Sequence, residues 1–160
     1  MKPILSYCIP VQNRLAELEA TLRQNLDANR QFGAEVEFVI ANFGGDPALD
    51  AHVRMNFAPE LAAGYLRIVP VERLDPWHFG RAKNVFRDHI AAELYSSLDA
   101  DNFVSAAETQ QILDLHAEHE GRLLIHHFSG NWGDGTCGRI TLPAHLYRSV
   151  GYDERSLPRQ

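Results

Sequence analysis

The sequence predicts an α/β fold with a mostly parallel sheet between two layers of helices. Two observations predict it: short apolar runs alternate with segments of helical periodicity, and no linker rich in Pro, Gly or Ser divides the 160 residues. A chain of this length buries roughly 70% of the surface that its unfolded state exposes, which is enough for one hydrophobic core. We therefore expect residues 1–160 to form one domain.

The first part of the chain contains three predicted strands. The runs 4–10, 36–41 and 65–69 are short and apolar, which is typical of buried strands. Between the first two, leucines recur at helical spacing over 15–26, and Asn13 is expected to cap that helix because its side chain can accept from the first free N–H groups.

Three further helices are predicted from spacing and capping. Apolar residues at helical spacing indicate a short helix at 49–57 and a longer one over 82–94. Ser105 and Glu108 have the spacing of a capping box, so a third helix begins there and ends near His119.

The remaining segments are predicted to be short strands and loops. Ser97-Leu98 ends a strand, and 123–125 and 140–142 are extended. Residues 130–138 hold four glycines and form a loop by composition, and 144–150 adds one or two helical turns.

Three loops follow predicted strands at one edge of the sheet, at 10–14, 42–46 and 99–102. Ligands of open α/β sheets bind outside the carboxyl ends of the strands, so this edge is the expected site. Asp99 and Asp101 are the most informative pair, because carboxylates two residues apart can share one divalent cation that completes its shell with water and phosphates. The alternative for this Asp-x-Asp motif is a solvated turn.

A basic helix start lies upstream of the acidic pair. Arg81 and Lys83, in Gly80-Arg81-Ala82-Lys83-Asn84, would suit an anionic ligand, and a solvated basic helix face is the alternative. Trp77 and His78 just before it either contact a ligand or close the core.

Composition excludes several classes of protein. The formal charge of −6 and the lack of a basic stripe argue against nucleic-acid binding. Cys8 and Cys137 make no disulfide framework, which favours a reducing compartment. No apolar segment approaches the length of a membrane span, so we expect a cytoplasmic protein that reaches the inner membrane surface through partners, if at all. His116 and His119 are not at the spacing of a helical zinc pair.

The order of the motifs resembles that of family 2 glycosyltransferases, inverting enzymes with the nucleotide-sugar-binding GT-A fold. The similar stretches begin with the first strand and its loop and end on the acceptor side; they are Ser6-Tyr7-Cys8-Ile9-Pro10-Val11-Gln12-Asn13-Arg14, Val39-Ile40-Ala41-Asn42-Phe43-Gly44-Gly45-Asp46, Gly80-Arg81-Ala82-Lys83-Asn84, Leu98-Asp99-Ala100-Asp101-Asn102, Gly138-Arg139-Ile140 and Val150-Gly151-Tyr152-Asp153-Glu154. Together they span nearly the whole chain.

The resemblance implies transfer of a hexosyl or N-acetylhexosaminyl group from a nucleotide-diphosphate sugar, with a UDP-sugar favoured, to a hydroxyl of a carbohydrate, lipid or protein. It implies Mn²⁺ or Mg²⁺ ligated by Asp101 and Asp99. The donor-binding residues it implies are Pro10, Asn13, Arg14, Asn42, Lys83, Asn84 and Asp99. Asn42 stands where the family often has an acidic residue, which leaves the nucleotide preference open.

The resemblance also divides the chain into a donor-binding part, 1–104, and part of an acceptor side, 105–160. The family's general base lies in a Glu-Asp pair farther along, whereas this chain stops six residues after Glu154. Asp134, Asp153 and Glu154 are the acidic residues left near the acceptor. Three hypotheses stay open: a transferase, with a homo-oligomer as one option; a degenerate domain that binds a nucleotide sugar or a protein partner without efficient transfer; and an unrelated α/β domain with a solvated acidic turn.

Overall fold

A computed structural model describes residues 2–120, 122–132 and 136–155, without the side chain of Cys137. The strands are β1 (Leu5–Val11), β2 (Val36–Phe43), β3 (Leu66–Val71), β4 (Leu94–Ser97), β5 (Ile125–His126) and β6 (Ile140–Pro143). The helices are α1 (Leu15–Asn29), α2 (Pro47–Asn56), α3 (Ala58–Ala62), α4 (Phe79–Asn84), α5 (Ala106–Glu118) and α6 (Ala144–Ser149). Short 3-10 turns occupy Arg30–Glu35, Val85–Asp88 and Thr136–Gly138.

The six strands form one sheet in the order β3-β2-β1-β4-β6-β5. Strand β1 pairs in parallel with β2 and with β4, and β2 pairs in parallel with β3. Strand β6 runs antiparallel between β4 and β5, so β5 has the same direction as β4. The carboxyl ends of β1 to β5 therefore lie at one edge, and the prediction of a mostly parallel sheet is confirmed.

The sheet has a hydrophobic core on each face because successive side chains of a strand point to opposite sides. In β2, Phe38 and Ile40 pack with the leucines of α1 and with α2 and α5. Val39 and Ala41 face the other core, with α4 and α6. In this second core the rings of Tyr95 and Tyr147 stack with their centroids 3.8 Å apart. The three-layer α/β/α arrangement is thus confirmed.

The predicted helix over 82–94 is wrong in its second half. Helix α4 ends at Asn84, a 3-10 turn follows, and Leu94 is the first residue of β4, where it pairs with Leu5 of β1. Ile90 and Leu94 have helical spacing only by coincidence, since Leu94 is buried by the strand next to it. Sequence periodicity is a local signal and does not report that pairing.

Two other local predictions also differ from the structure. Asn13 does not cap α1; it adopts a left-handed φ of 57°, which asparagine tolerates, and Arg14 is the N-cap without a side-chain hydrogen bond. The strand predicted at 123–125 is reduced to Ile125–His126. By contrast, the capping box of Ser105 and Glu108 is present as predicted. Within the part of the chain that the structure describes, no helix has the length and apolar character of a membrane span.

A stripe of buried polar side chains on α1 holds the turn that follows β4. The Thr21 hydroxyl donates to the carbonyl of Ala100 at 2.6 Å. The Asn25 amide donates to the carbonyl of Asn102 and accepts from the N–H of Val104, both at 2.9 Å. These bonds satisfy backbone groups that are shielded from water, so the position of the 99–102 turn depends on this face of α1.

We expect the substitution Asn25→Ala to destabilise the fold by about 1–3 kcal/mol, because it leaves a buried carbonyl and a buried N–H without partners. Urea unfolding measures the loss as a lower midpoint at an unchanged slope. Gln24→Ala, at the exposed neighbouring position of α1, is the matched control and should change stability by no more than about 0.5 kcal/mol. Equal stability of the two variants would contradict this role of Asn25.

Candidate functional site

A cleft of about 320 Å³ opens at the carboxyl edge of the sheet, between the loop after β1 and the turn after β4. Its lining combines apolar, basic and acidic side chains: Pro10, Gln12, Arg14, Trp77, Phe79, Asp99, Ala100, Asp101 and Asn102. Both carboxylates of the Asp-x-Asp motif therefore line the cleft, together with two of the predicted donor-binding residues, Pro10 at the end of β1 and Arg14 in the loop after it.

A larger cavity, of about 440 Å³, lies at the opposite edge of the sheet. Its buried carboxylates already have cationic partners, since Glu60 contacts Arg23 and Arg30 while Glu37 contacts Arg67. None of the site residues predicted from the sequence motifs is among the residues that line this cavity. We therefore place the candidate site at the carboxyl edge.

Each acidic side chain of the turn faces a basic one. Asp101, half-exposed, accepts from Nη2 of Arg14 at 2.9 Å, and Oδ1 of Asp99 lies 3.5 Å from Nζ of Lys83. The turn is closed by the N–H of Asn102, which donates to the carbonyl of Asp99 at 3.0 Å. Ala100 between them is buried, so both carboxylates are held at the surface of a fixed turn.

Lys83 is buried, with 6% of its surface exposed. Lysine is almost never fully buried unless it is paired, so its partners matter. Its Nζ donates to the carbonyl of Gly138 at 3.1 Å and lies 5.7 Å from the ring centroid of Tyr152. The Tyr147 hydroxyl donates at 2.6 Å to the backbone carbonyl of the same lysine. The alternative of a solvated basic face thus does not apply to Lys83, whose ammonium is directed at Asp99.

The other predicted donor-binding residues fall into two groups. Pro10 lines the cleft, and Asn13 is exposed beside it. Asn42, on β2, is buried, and both polar atoms of its amide bind the backbone of Asp46 at 2.9 Å. It holds the turn after β2 and is not among the residues that line the cleft.

Asn84 joins α4 to the 151–155 segment. Its amide accepts from the N–H of Tyr152 at 2.8 Å and donates to the carbonyl of Tyr152 and to Oε1 of Glu154, at 2.9 and 2.6 Å. Gly80, on the same helix, is equally constrained, because an added Cβ would lie 2.5 Å from the carbonyl oxygen of Asp153. The acceptor-side stretch predicted from sequence therefore packs directly on α4.

The predicted general-base candidates differ in what surrounds them. Arg155 donates to the Asp153 carboxylate from its backbone N–H, Nε and Nη2, and these bonds lower the pKa of Asp153 to about 2. A carboxylate with that pKa is a weak proton acceptor. The carboxylate of Glu154 accepts from Asn84 and lies 3.9 Å from Nε of Arg81. Asp134 lies outside the described residues.

The donor set available for a metal is small. Over residues 2–120, 122–132 and 136–155 no cluster of three or more His, Cys, Asp or Glu side chains converges. Mg²⁺ and Mn²⁺ often bind through one or two carboxylates together with substrate phosphates. Asp99 and Asp101 fit that mode, in which the cation enters with an anionic ligand.

Two residues of the site were not singled out from the sequence. The side-chain amide of Gln12 binds the backbone N–H and carbonyl of Leu74, which fixes the segment that carries Trp77. Gly138 presents the carbonyl that Lys83 and the Ser97 hydroxyl share, and an added Cβ would lie 3.4 Å from Nζ of Lys83. A glycine at the end of a predicted loop was the one available signal for the second.

Comparison with solved structures identifies the fold. The match to TarS from S. aureus (residues 1–349) covers 97% of this chain and 51% of the TarS chain, with a TM-score of 0.71 and 13% sequence identity. The match to the mannosyltransferase PcManGT from Pyrobaculum calidifontis, in complex with GDP-Man and Mn²⁺, covers 95% of this chain and 48% of the PcManGT chain. Its TM-score is 0.70 and the sequence identity is 13%. The match to HddC from Yersinia pseudotuberculosis covers 96% of this chain and 82% of the HddC chain, with a TM-score of 0.61 and 9% sequence identity.

These matches show that the chain has the Rossmann-like α/β fold of the glycosyltransferases TarS and PcManGT. The chain spans about half the length of those two structures. No family model and no curated protein matches the sequence.

The stability of the fold should depend on pH through the titration of His127. This residue follows β5, and its N–H donates to the carbonyl of Arg139, the residue after Gly138. Its Nε2 is 2.8 Å from the Thr141 hydroxyl, and burial, with the charge of Arg139, lowers its pKa from 6.5 to about 4. Between these values the unfolded chain binds a proton that the native state does not, so stability falls as pH decreases from about 6.5 to 4.

We expect the melting temperature of His127→Gln to fall less between about pH 7 and pH 5 than that of the unmodified chain, since glutamine cannot titrate. Differential scanning calorimetry at both pH values measures this difference. The exposed His119 provides the control, and His119→Gln should keep the original slope. Identical slopes for all three proteins would show that His127 is not the group responsible.

Proposed function

We propose that this chain is the donor-binding and catalytic part of a glycosyltransferase that moves a sugar from a nucleotide-diphosphate sugar to an acceptor hydroxyl, with inversion at the anomeric carbon. The observation that carries this proposal is the convergence of Asp99, Asp101 and Lys83 at the carboxyl edge of the sheet. The glycosyltransferase fold supports it, as do neighbours of that fold in complex with UDP or with GDP-Man and Mn²⁺.

The leaving diphosphate gains negative charge in the transition state, and the site carries groups to stabilise it. Asp101 and Asp99 would hold Mn²⁺ or Mg²⁺, which when bound supplies Lewis-acid stabilisation of the diphosphate. The ammonium of Lys83 adds a fixed positive charge beside them. Since its position is set by Gly138, little reorganisation is needed when the charge develops.

Arg14 and the aromatic wall of the cleft support binding of the nucleotide. The Arg14–Asp101 ion pair is half-exposed on both sides, and such pairs contribute only about 0–1 kcal/mol. A cation on Asp101 can therefore displace Arg14, whose guanidinium then becomes available to a phosphate oxygen. Trp77 and Phe79, with ring centroids 6.1 Å apart, line the same cleft and offer apolar surface to the nucleoside.

A second candidate function is a donor-binding domain that does not transfer efficiently. The state of the described acceptor-side carboxylates favours it, since Asp153 is bound by Arg155 and has a pKa of about 2. Removing general-base assistance typically costs about 10²–10⁴-fold in rate. This candidate shares the donor site with the first and differs in the chemical step.

The metal role can be tested by calorimetry with UDP in the presence and absence of Mn²⁺. We expect Asp101→Asn to abolish the Mn²⁺-dependent part of the affinity and to leave the melting temperature nearly unchanged, because Asp101 is exposed and supports no core. Asp114→Asn, at an exposed position of α5, is the matched control and should bind like the unmodified chain. Mn²⁺-dependent affinity that survives Asp101→Asn would remove the proposed metal site.

Turnover separates the two candidate functions. The first candidate predicts Mn²⁺-dependent release of UDP from UDP-sugars that increases with a suitable sugar acceptor. The second predicts slow release that increases little with a panel of acceptors, which is what a weak general base such as Asp153 would give. The measurement is a coupled assay of nucleoside diphosphate with and without acceptor. Fast, acceptor-dependent release would exclude the binding-only candidate, and Glu154→Gln, compared with Asp153→Asn, would then identify the base.

A further inference from the structure

The β5–β6 hairpin carries aromatic side chains that the donor site does not use. Phe128 and Trp132 have ring centroids 4.6 Å apart at an angle of 46°, and His126 stacks on Phe128 at 5.9 Å and 13°. Trp132 is 77% exposed. The three rings thus form a continuous aromatic surface, defined here as the hairpin platform, and most of the Trp132 side chain is open to solvent.

Strand order places the hairpin platform near the transfer site. Strand β5 ends at the same edge as β4, two strand spacings away, or about 10 Å. The N–H of His127 donates to the carbonyl of Arg139 at 2.9 Å. Phe128 is the next residue after His127, and Gly138 is the residue before Arg139. The carbonyl of Gly138 is the one that Lys83 binds, so the residue pair that precedes Phe128 is next to a direct contact of the site.

The platform lies on the side of β4 opposite to the cleft. The nucleotide cleft is lined from the β1 side, by Arg14, Trp77 and Phe79. Strand β5 is at the other side of β4, beyond β6. A molecule that approaches a donor sugar in this cleft from the β5 side would come near Phe128 and Trp132.

The chemistry of the platform favours a carbohydrate as the molecule bound. A sugar ring has an apolar C–H face, which covers an aromatic ring, and a polar rim of hydroxyls, which matches the exposed polar residues Ser129 and Asn131 between the two rings. A lipid chain would favour a larger apolar patch without polar residues. Addition of a strand from a protein would favour an edge longer than the two residues of β5.

We propose that Phe128 and Trp132 form an acceptor subsite that binds a carbohydrate by stacking on its apolar face. The proposal deepens the function proposed above and rests on it, because the subsite serves as an acceptor site only if the neighbouring cleft binds a sugar donor. It narrows the acceptor from a carbohydrate, lipid or protein to a saccharide chain.

The test uses three trisaccharides as probes, those of glucose, mannose and N-acetylglucosamine, with the full chain in solution. We expect at least one to bind in a titration followed by tryptophan fluorescence and by saturation-transfer NMR. Trp132→Ala and Phe128→Ala should each weaken that binding about fivefold to tenfold, the usual range for loss of a stacking contact. Leu124→Ala removes another exposed apolar side chain before the same hairpin and is the matched control.

The outcomes separate this proposal from that of the donor site. UDP and Mn²⁺ affinity should be the same in all three variants, because the cleft does not include these residues. Saccharide binding that depends on Trp132, in a chain that binds no UDP, would support the subsite while the donor proposal fails. Absence of binding by every trisaccharide, or equal binding by Trp132→Ala, would overturn the subsite. A dimer that dissociates in Trp132→Ala during sedimentation would assign the rings to an interface between copies and also overturn it.

Discussion

The buried ammonium of Lys83 is the interaction on which the arrangement of the site depends. A lysine that is 6% exposed needs compensation for its lost hydration, and here it comes from the carbonyl of Gly138 and the carboxylate of Asp99. Lys83 and these two partners belong to three separate segments: α4, the end of the loop before β6 and the turn after β4. Satisfying one charge therefore fixes the relative position of these three segments.

The acidic turn has a buried support and an exposed ion-pair partner. Thr21 and Asn25 of α1 bind its backbone with buried hydrogen bonds, so the two carboxylates are presented from a fixed turn. The ion pair between Arg14 and Asp101 is exposed and weak by comparison. This contrast suits a site that binds an anionic ligand together with a cation, because the support stays in place while Arg14 exchanges partners.

The part of the described chain that follows α5 is organised by packing on α4 and by the β5–β6 hairpin. Asn84 holds the backbone of Tyr152, and Arg139, itself buried, forms an ion pair with Glu108 of α5 while donating to the carbonyl of Phe103. Lys83 lies close to the loop before β6 and to the 151–155 segment, since its Nζ is 3.1 Å from the carbonyl oxygen of Gly138 and 5.7 Å from the ring centroid of Tyr152. By strand order, the hairpin platform and the cleft lie on opposite sides of β4.

The sequence by itself determined the alternation of β1 to β3 with α1 and α2, the capping box of α5, and the position of the Asp-x-Asp motif at a strand end. Each of these is encoded within a few neighbouring residues, where periodicity and capping act. The tertiary structure alone decided that Leu94 begins a strand and that Lys83 is buried. The partners that decide these points include Leu5 for Leu94 and Gly138 for Lys83, the latter 55 residues away, and no local pattern carries information about contacts at that separation.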